Sequence, residues 1–363
     1  MYNKIKKTKG WNKMKKVAKY AVVGCGGFGN AHLDALCHFD NIEVIALCDT
    51  HIEKCYERNE HYKFFANCYS DYREMLEKES PDIVLVATSD QSHAEVTIAA
   101  LRAGFHVMCE KPMALDLNEC VDMVKASEES GKLLMIGQIC RYTPGFAKAK
   151  DLVDRGIIGD LYYVESEYAH DYKDIRGVDE WRVTPEREPI IGGACHAIDL
   201  LRWIAGDPKE VFAYSNHKVL TDWPINDTTI AVMKFPNNVI GKIFTSVGCK
   251  RDYTMRTCLY GTKGTIIVNN TDPFITLYLE KIDDSPFAAG QLPEISEKTV
   301  KHIIGIAINN HNAIAEHKQM LEAVWEGEPL VTTGVEGART VAVCRAVVEA
   351  AKNGLPVKVN YPV

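Results

Sequence analysis

The stretch that decides the fold is Lys19-Tyr-Ala-Val-Val-Gly-Cys-Gly-Gly-Phe-Gly29. Its first residues are apolar and β-branched, which is typical of a buried parallel strand. Gly24, Gly26 and Gly29 then have the spacing G-x-G-x-x-G, and residues 30–39 follow with helical apolar spacing. The first glycine permits a tight turn, the second lets a pyrophosphate approach the backbone, and the third lets helix and strand pack closely. The pattern predicts a dinucleotide-binding turn whose candidate contacts are Gly24, Gly26, Gly27, Phe28 and Gly29.

Asp49 closes the next strand-like run, Ile42-Glu-Val-Ile-Ala-Leu-Cys48. A carboxylate at this position can accept hydrogen bonds from the adenosine ribose hydroxyls, and it repels a 2′-phosphate. The predicted cofactor is therefore NAD rather than NADP. A purely structural glycine turn with a solvated Asp49 is the alternative interpretation.

The remaining chain divides into two regions of different pattern. Strand-like and helix-like runs alternate to about residue 137, which predicts an N-terminal doubly wound parallel sheet with helices on both faces. Beyond about residue 159, strand-like runs joined by short turns predict a mostly antiparallel sheet, interrupted by a helix over 194–205. Two helices, near 309–325 and 334–352, close the chain and can pack on either domain. We expect an α/β protein with a basic arm at 1–18, a nucleotide-binding domain at 19–140 and a second domain at 141–363.

Composition excludes several classes of function. The net charge of −7 argues against a nucleic-acid partner, although seven lysines lie in the first sixteen residues. No apolar run reaches the length that a bilayer requires, so no membrane association is expected. The twelve cysteines include no C-x-x-C pair, and no His/Cys/carboxylate spacing resembles a metal site. Scattered cysteines suit reduced thiols in the cytoplasm.

Further motifs resemble one enzyme family. Together with the glycine turn, they are similar to those of the glucose–fructose oxidoreductase, inositol dehydrogenase and rhizopine-catabolism family (Gfo/Idh/MocA), from about Lys19 to the final helix. The stretches are Thr88-Ser-Asp-Gln-Ser-His93, Glu110-Lys-Pro112, Gly137-Gln-Ile-Cys-Arg-Tyr-Thr-Pro144, Trp181-Arg182 and Gly192-Gly-Ala-Cys-His-Ala-Ile-Asp-Leu-Leu-Arg-Trp203.

The resemblance implies a Rossmann domain followed by an α/β domain whose open, mostly antiparallel sheet joins subunits into a homodimer or homotetramer. It implies that Lys111 bonds the reacting oxygen, after a turn that Pro112 stiffens through a cis bond. It also makes His196 the general acid/base, because an imidazole exchanges protons near neutral pH. A surface lysine and a core histidine are the structural alternatives.

The same likeness assigns the other site residues. Those expected at the cofactor, besides the glycine turn and Asp49, are Thr88, His93, Glu110, Lys111 and Arg141. Those expected at the substrate are Lys111, Tyr168, Arg182, His196 and Asp199. Tyr142 would join Arg141 in the pocket. Asp199 either orients His196 or binds substrate, or is a helix-surface acid, and Arg182 either binds a substrate oxygen or forms a structural salt bridge.

Two positions depart from the family pattern. Gly192 stands where many members carry an aspartate, four residues before the histidine, so another group must substitute for it or Lys111 and His196 suffice. Tyr168, Asp171 and Tyr172 are the candidate substitutes. Asp90 replaces the more common asparagine, where it either changes the cofactor's surroundings or caps a helix.

These observations support one leading function and two alternatives. The leading hypothesis is an NAD-dependent oxidoreductase that moves a hydride to or from a secondary alcohol carbon of a sugar, glycoside or cyclitol. A lyase or glycosidase that regenerates tightly bound NAD in each turnover would use the same residues. A non-catalytic NAD-binding sensor is the third possibility, and the presence of both Lys111 and His196 argues against it.

Overall fold

The computed structural model describes residues 16–280, 294–295, 299–306 and 311–363. Most of the expected basic arm, residues 1–15, lies outside the described residues. The first half of the chain forms a six-stranded parallel sheet in the order β3-β2-β1-β4-β5-β6. Its strands are β1 (Ala18–Val23), β2 (Ile42–Cys48), β3 (Asn67–Tyr69), β4 (Ile83–Val86), β5 (His106–Cys109) and β6 (Leu134–Ile136).

Helices connect these strands and cover both faces of the sheet. They are α1 (Gly27–Leu36), α2 (Ile52–Tyr62), α3 (Tyr72–Lys78), α4 (His93–Arg102) and α5 (Leu117–Ser130). The strand order reverses between β1 and β4, and open α/β sheets bind ligands outside the carboxyl ends of strands at such a point. Gly24, Thr88 and Glu110 lie at those ends, which positions the candidate site.

The second half forms a ten-stranded sheet in the order β14-β15-β13-β12-β11-β7-β10-β9-β8-β16. Strands β7 and β10 pair in parallel and the other neighbours pair antiparallel. The strands are β7 (Leu161–Ala169), β8 (Glu210–Asn216), β9 (Thr228–Lys234), β10 (Ile240–Ser246), β11 (Arg256–Gly261), β12 (Gly264–Asn269), β13 (Phe274–Glu280), β14 (Glu294–Ile295), β15 (Thr299–Gly305) and β16 (Val357–Lys358).

The helices on one face of this second sheet are α6 (Pro144–Asp154), α7 (Pro189–Gly192), α8 (Cys195–Ala205) and α10 (Gly334–Asn353). Helix α9 (Ala313–Glu326) packs instead on the first domain, mainly against α1. The opposite face exposes apolar side chains, because strands β8 to β10 alternate buried and exposed residues. This exposed apolar face consists of Tyr214, Ile230, Val232 and Ile240.

Helix α10 belongs to the cores of both domains. Ala338 and Val341 pack with the parallel sheet, whereas Val343 and Val347 pack with the second sheet. At Gly337 the helix approaches β6 so closely that a Cβ would lie 2.6 Å from Ile136 Cγ1. The two sheets are therefore joined by a shared helix as well as by the connection after β6.

The structure confirms the predicted α/β class, with a parallel sheet followed by a mostly antiparallel one. The sequence interpretation did not anticipate α2, β3, α3, α6, β13 or β15. Helix α2 buries only Cys55, so it has no apolar stripe from which its period could be recognised. Among the described residues, no helix is both long enough and apolar enough to span a bilayer.

Candidate active site

The glycine turn is shaped for a ligand that needs close contact with backbone. Gly24 has φ +100°, and a Cβ there would lie 2.3 Å from the Ala87 carbonyl oxygen. A Cβ at Gly29 would lie 1.9 Å from the Gly24 oxygen, whereas Gly26 and Gly27 border open space. Helix α1 begins at Gly27 without a side-chain cap, so its first N–H groups are available to an anion. The turn fits the pyrophosphate of a dinucleotide.

Asp49 presents its carboxylate beside this turn. Oδ2 accepts the Cys25 N–H at 2.9 Å, and Oδ1 accepts the His51 N–H at 2.9 Å. Lys54 Nζ lies 3.4 Å from Oδ1. These bonds fix a partly accessible carboxylate on the wall of the cleft, as recognition of ribose hydroxyls requires.

A cleft of about 780 Å³ runs from Asp49 to the ends of β4 and β5, between the two domains. Most of the residues expected at the cofactor line it. From the first domain come Gly24, Gly26, Gly27, Phe28, Asp49, Thr88, His93, Glu110 and Lys111, and from the second come Trp181, Arg182 and Arg187. The volume and the mixed lining are typical of a small-molecule site.

Lys111 lies at the reactive end of this cleft. The Lys111–Pro112 peptide is cis, as expected. The Lys111 ammonium lies 5.1 Å from the centre of the Phe28 ring, and no carboxylate within 4.0 Å pairs with it in the described part of the chain. Its charge is therefore available to a bound oxygen.

A buried hydrogen-bonded chain fixes the backbone of Lys111. The Lys111 N–H donates to Glu110 Oε2 at 3.1 Å, and Glu110 Oε1 lies 2.8 Å from His32 Nε2. His32 Nδ1 lies 3.0 Å from His317 Nε2. Although burial raises the pKa of Glu110, the His32 hydrogen bond and the Lys111 charge hold that pKa below its usual range. Glu110 therefore acts on Lys111 as a fixed anion.

His93 occupies the wall between the two domains at the same end. Its Nδ1 lies 2.8 Å from the Pro112 oxygen, and its buried Nε2 has no hydrogen-bond partner among the described residues. The side chain is 1% exposed, so it packs behind the cleft surface. This geometry agrees with a role in shaping the pocket.

His196 lies on α8 next to the reactive end but outside the cleft lining. It is 2% exposed, and its Nδ1 has no hydrogen-bond partner in the described part of the chain. Burial, followed by the charges of Lys111 and His311, holds the pKa of His196 well below its usual value. The imidazole is therefore held in its neutral form, in which one ring nitrogen carries no proton.

An aromatic wall surrounds His196 and consists of Tyr168, His170, Tyr172, Tyr253 and His311. The Tyr168 ring centre lies 6.5 Å from that of His196, and the His311 ring centre lies 5.7 Å from it. The Tyr168 and Tyr172 hydroxyls are hydrogen-bonded at 2.8 Å. These rings bury His196 beside the reactive end of the cleft.

Sequence reasoning had selected only part of this wall. Tyr168 was an expected substrate contact, and Tyr172 was a candidate substitute for the missing aspartate. Asp171 is directed elsewhere, because its carboxylate binds Lys250 Nζ at 2.8 Å. His170, His311 and Tyr253 were missed, because isolated residues in loops carry no periodicity or spacing.

The structure explains the two departures from the family pattern together. Arg187 Nε donates to Asp90 Oδ2 at 2.6 Å, and its Nη2 donates to the Gly192 oxygen at 3.1 Å. A Cβ at position 192 would lie 2.4 Å from Arg187 Cζ. The guanidinium therefore occupies the volume that a side chain at 192 would enter. Asp90 forms a buried ion pair across the cleft and does not cap the following helix, which begins after Ser89. Because Asp90 also lines the cleft, its effect on the cofactor's surroundings stays a prediction.

Three residues that were expected in the pocket have other partners. They are Arg141, Tyr142 and Asp199. Arg141 donates to both Asp199 oxygens, at 2.8 and 2.7 Å, and its Nη2 also donates to Glu336 at 2.7 Å. Asp199 is fully buried and accepts a further bond from Thr340. The Tyr142 hydroxyl bonds Gln319. These groups connect α8 to the last helices, and neither Arg141 nor Asp199 lines the cleft.

Arg182 lies on the cleft surface and forms no structural salt bridge, the alternative to substrate binding, with the described residues. Its guanidinium rests 4.4 Å from the centre of the Trp181 ring, and no described carboxylate lies within ion-pair distance. Among the described residues, no group of three or more His, Cys, Asp or Glu side chains could hold a metal ion.

Comparison with known proteins identifies relatives for both halves of the chain. A sequence model described as the oxidoreductase family with an NAD-binding Rossmann fold matches residues 18–138. A second model, for the GFO/IDH/MocA C-terminal domain, matches residues 146–267. Inositol 2-dehydrogenase of Salmonella typhimurium is 29% identical over 68% of this chain and 72% of its own length. D-glucoside 3-dehydrogenase of Escherichia coli K12 is 28% identical over 56% of this chain and 59% of its own.

Solved structures show the same architecture. A levoglucosan dehydrogenase in complex with NADH superposes with a TM-score of 0.84 and 22% identity, over 95% of this chain and 100% of that one. Myo-inositol 2-dehydrogenase of Lactobacillus plantarum gives a TM-score of 0.77 with 20% identity, over 95% of this chain and 100% of that one. At these identities the likeness establishes the fold.

Proposed function

Because the chain belongs to the GFO/IDH/MocA oxidoreductases with an NAD-binding Rossmann fold, we propose that it is a dehydrogenase of a sugar, glycoside or cyclitol. The hydride moves between NAD and a secondary carbinol carbon. Relatives named for inositol, glucoside and levoglucosan dehydrogenation support a ring hydroxyl as the reacting group.

The observation that carries the proposal is the convergence of Lys111 and His196. They come from different domains, Lys111 directly after β5 and His196 on α8, and the Lys111 charge adds to burial in lowering the pKa of His196. An ammonium beside a neutral imidazole is the pair that oxidation of an alcohol needs, since one stabilises negative oxygen and the other accepts a proton.

In the proposed reaction, NAD bound along the cleft supplies the hydride acceptor. Lys111 binds the substrate hydroxyl and stabilises the alkoxide as the O–H bond breaks. His196 takes the hydroxyl proton and returns it in the reverse direction. Glu110 and His32 fix the backbone of Lys111, while the aromatic wall excludes water from the reacting carbon.

The test is a screen of inositols, methyl glycosides and anhydrosugars with NAD and with NADP, followed by NADH absorbance. We expect absorbance to rise with NAD and much less with NADP, because Asp49 repels a 2′-phosphate. Mass spectrometry of the same reactions detects elimination or hydrolysis without NADH accumulation. That outcome would replace the dehydrogenase with the redox-neutral alternative.

The Lys111→Ala variant should lose about 10²- to 10³-fold in kcat, the usual cost of removing one group that stabilises developing oxyanion charge. NAD binding, measured by calorimetry, should change little. Lys125→Ala is the matched control, because Lys125 is exposed on α5 and pairs only with Glu129. A Lys111→Ala variant with normal turnover would remove this lysine from the mechanism.

Two further expectations remain part of the proposal. All twelve cysteines are unpaired thiols, which supports a reducing compartment such as the cytoplasm. The exposed apolar face of the second sheet supports assembly into a homodimer or homotetramer.

A further inference from the structure

The reactive end of the cleft has more positive charge than its carboxylates can neutralise. Three cations, Lys111, Arg182 and Arg187, line it. Asp90 Oδ2 is paired with Arg187 Nε at 2.6 Å, and Glu110 Oε1 is hydrogen-bonded to His32 Nε2 at 2.8 Å. Lys111 is needed for the reacting oxygen, so Arg182 is the cation left without a partner in the described part of the chain.

Arg182 is held in place by stacking on an aromatic ring and not by an opposite charge. Its guanidinium stacks at 4.4 Å on Trp181, and the Arg187 guanidinium lies 5.0 Å from the same ring centre. Gln91 Nε2 donates to the Trp181 oxygen at 2.9 Å, which anchors this segment across the cleft. Stacking orients a guanidinium but leaves its N–H donors unused.

The electrostatic surroundings of Arg182 make it receptive to an anion. Burial, and then the charge of Arg187, lower its pKa, so a negative group beside the charged guanidinium would be stabilising. A planar guanidinium with free donors matches the two oxygens of a carboxylate.

The position of Arg182 favours a contact with the substrate over a contact with the cofactor. The Trp181 ring contacts both the Arg182 and the Arg187 guanidinium, and Arg187 donates to the Gly192 oxygen. The next residue, Gly193, packs on the aromatic wall, since a Cβ there would lie 2.6 Å from the Tyr168 ring. The groups that interact electrostatically with Arg182 are Arg187, Tyr172, Asp90 and Tyr168, which lie at the reactive end.

We infer that the substrate of the proposed dehydrogenase is an acidic sugar whose carboxylate binds Arg182, while its reacting carbon lies between Lys111 and His196. This inference rests on the proposed function and narrows its substrate class. The cofactor's pyrophosphate is the other source of an anion, and the experiment separates the two.

The test compares three matched pairs of methyl glycosides with the glucose, galactose or mannose configuration, each as the neutral sugar and as its 6-carboxylate. In at least one pair, wild-type kcat/KM for the acid should exceed that for the neutral sugar by about 10-fold or more. Arg182→Gln should reduce the acid's kcat/KM by roughly 10- to 100-fold through KM, the range for a charged hydrogen-bond partner. The loss with the neutral sugar should be much smaller, so that the acid-to-neutral ratio falls, and Arg182→Lys should restore part of that ratio.

Arg176→Gln is the matched control, because this arginine of the same segment already pairs with Glu180 and Asp222. Neutral sugars preferred in every pair would overturn the inference. So would an Arg182→Gln variant that raises KM for NAD and leaves the acid-to-neutral ratio unchanged, since the anion would then be the pyrophosphate.

A binding measurement keeps this inference separate from the proposed function. If no compound is oxidised, calorimetry of the protein–NADH complex with the three acids still tests Arg182. Binding that Arg182→Gln abolishes supports the acidic ligand and leaves only the dehydrogenase reaction in question. Absence of binding to the wild type contradicts the acidic ligand as well.

Discussion

Gly192 and Arg187 show how one missing side chain changes a pocket. The guanidinium of Arg187 lies where a residue at 192 would project, and Asp90 from the opposite domain neutralises it. Arg187 is 3% exposed and Asp90 is 4% exposed, so neither charge can be solvated if the pair separates. The three residues therefore depend on one another, although they lie far apart in sequence.

Gly192→Ala should destabilise the protein by about 3–5 kcal/mol, because the new methyl group forces Arg187 away from Asp90 and leaves buried charges unpaired. In an Asp90→Asn/Arg187→Ala background the same substitution should cost under about 1 kcal/mol, since the space is then empty. Urea unfolding of the four proteins measures this coupling. Equal costs in both backgrounds would show that Gly192 does not serve to accommodate Arg187.

The residues that sequence reasoning found, and those it missed, have different physical origins. Gly24, Gly26 and Asp49 were predictable because their roles follow from spacing along one strand–turn–helix unit. Asp199 was misplaced because its partner, Arg141, is 58 positions away. Arg187 was missed because its placement depends on a side chain that position 192 lacks. Local chemistry can be predicted from such a sequence, whereas buried charge pairing depends on tertiary structure.

At the scale of elements, helix α9 carries a buried carboxyl group, Glu316, whose ionised form is disfavoured by burial. Glu316 is fully buried, and neither carboxyl oxygen has a hydrogen-bond partner among the described residues. Burial, together with the nearby charge of Glu110, raises its pKa well above the usual value. Burial therefore favours the protonated, neutral carboxyl in the folded protein.

Glu316→Gln should stabilise the protein, and more so as the pH rises. A raised folded-state pKa favours folding below the unfolded pKa of about 4.5, and this contribution is lost as the pH increases toward the folded value. The variant avoids that loss, so its advantage should grow from near zero at pH 4.5 to about 1–3 kcal/mol at pH 8.

Thermal unfolding at several pH values measures the effect of Glu316→Gln. Glu326→Gln, exposed at the end of the same helix, is the control and should show no such trend. An advantage that does not vary with pH would mean that Glu316 is ionised in the folded protein.

The prediction of elements from sequence succeeded where the pattern was strong. Strands β1, β2, β4 and β5 are short apolar runs bounded by polar residues, and their bounds match expectation within about two residues. Helices α2 and α3 were missed because each buries a single residue, Cys55 and Met75 respectively. The parallel pairing of β7 with β10 was not predictable, because pairing direction is decided by how α8 crosses over the sheet.

At the scale of the whole molecule, the exposed apolar face of the second sheet should be an interface between copies of this chain. Tyr214 lies opposite Ile230 in the register of β8 and β9, and Val232 is 51% exposed beside them. Exposed apolar side chains grouped on one sheet face mark an association surface, and Lys242 opposite Val232 adds a polar neighbour to it.

Val232→Lys should convert the expected dimer or tetramer into smaller species in light scattering, because a charge at the centre of an apolar interface is costly to bury. Its circular dichroism should match the wild type. Leu355→Lys is the control, since Leu355 is 64% exposed in the turn after α10. A monomeric wild type would exclude this use of the face.

The shared helix α10 also affects how the chain folds during its synthesis. Ala338 and Val341 complete the packing beneath the parallel sheet, and Met320 and Leu321 complete its other side. During synthesis these residues leave the ribosome long after the parallel sheet, so the first 140 residues must wait with part of their apolar surface uncovered. A nascent chain stalled before residue 313 should therefore recruit chaperones and be cleaved readily by proteases. Release of residues 313–350 should end both.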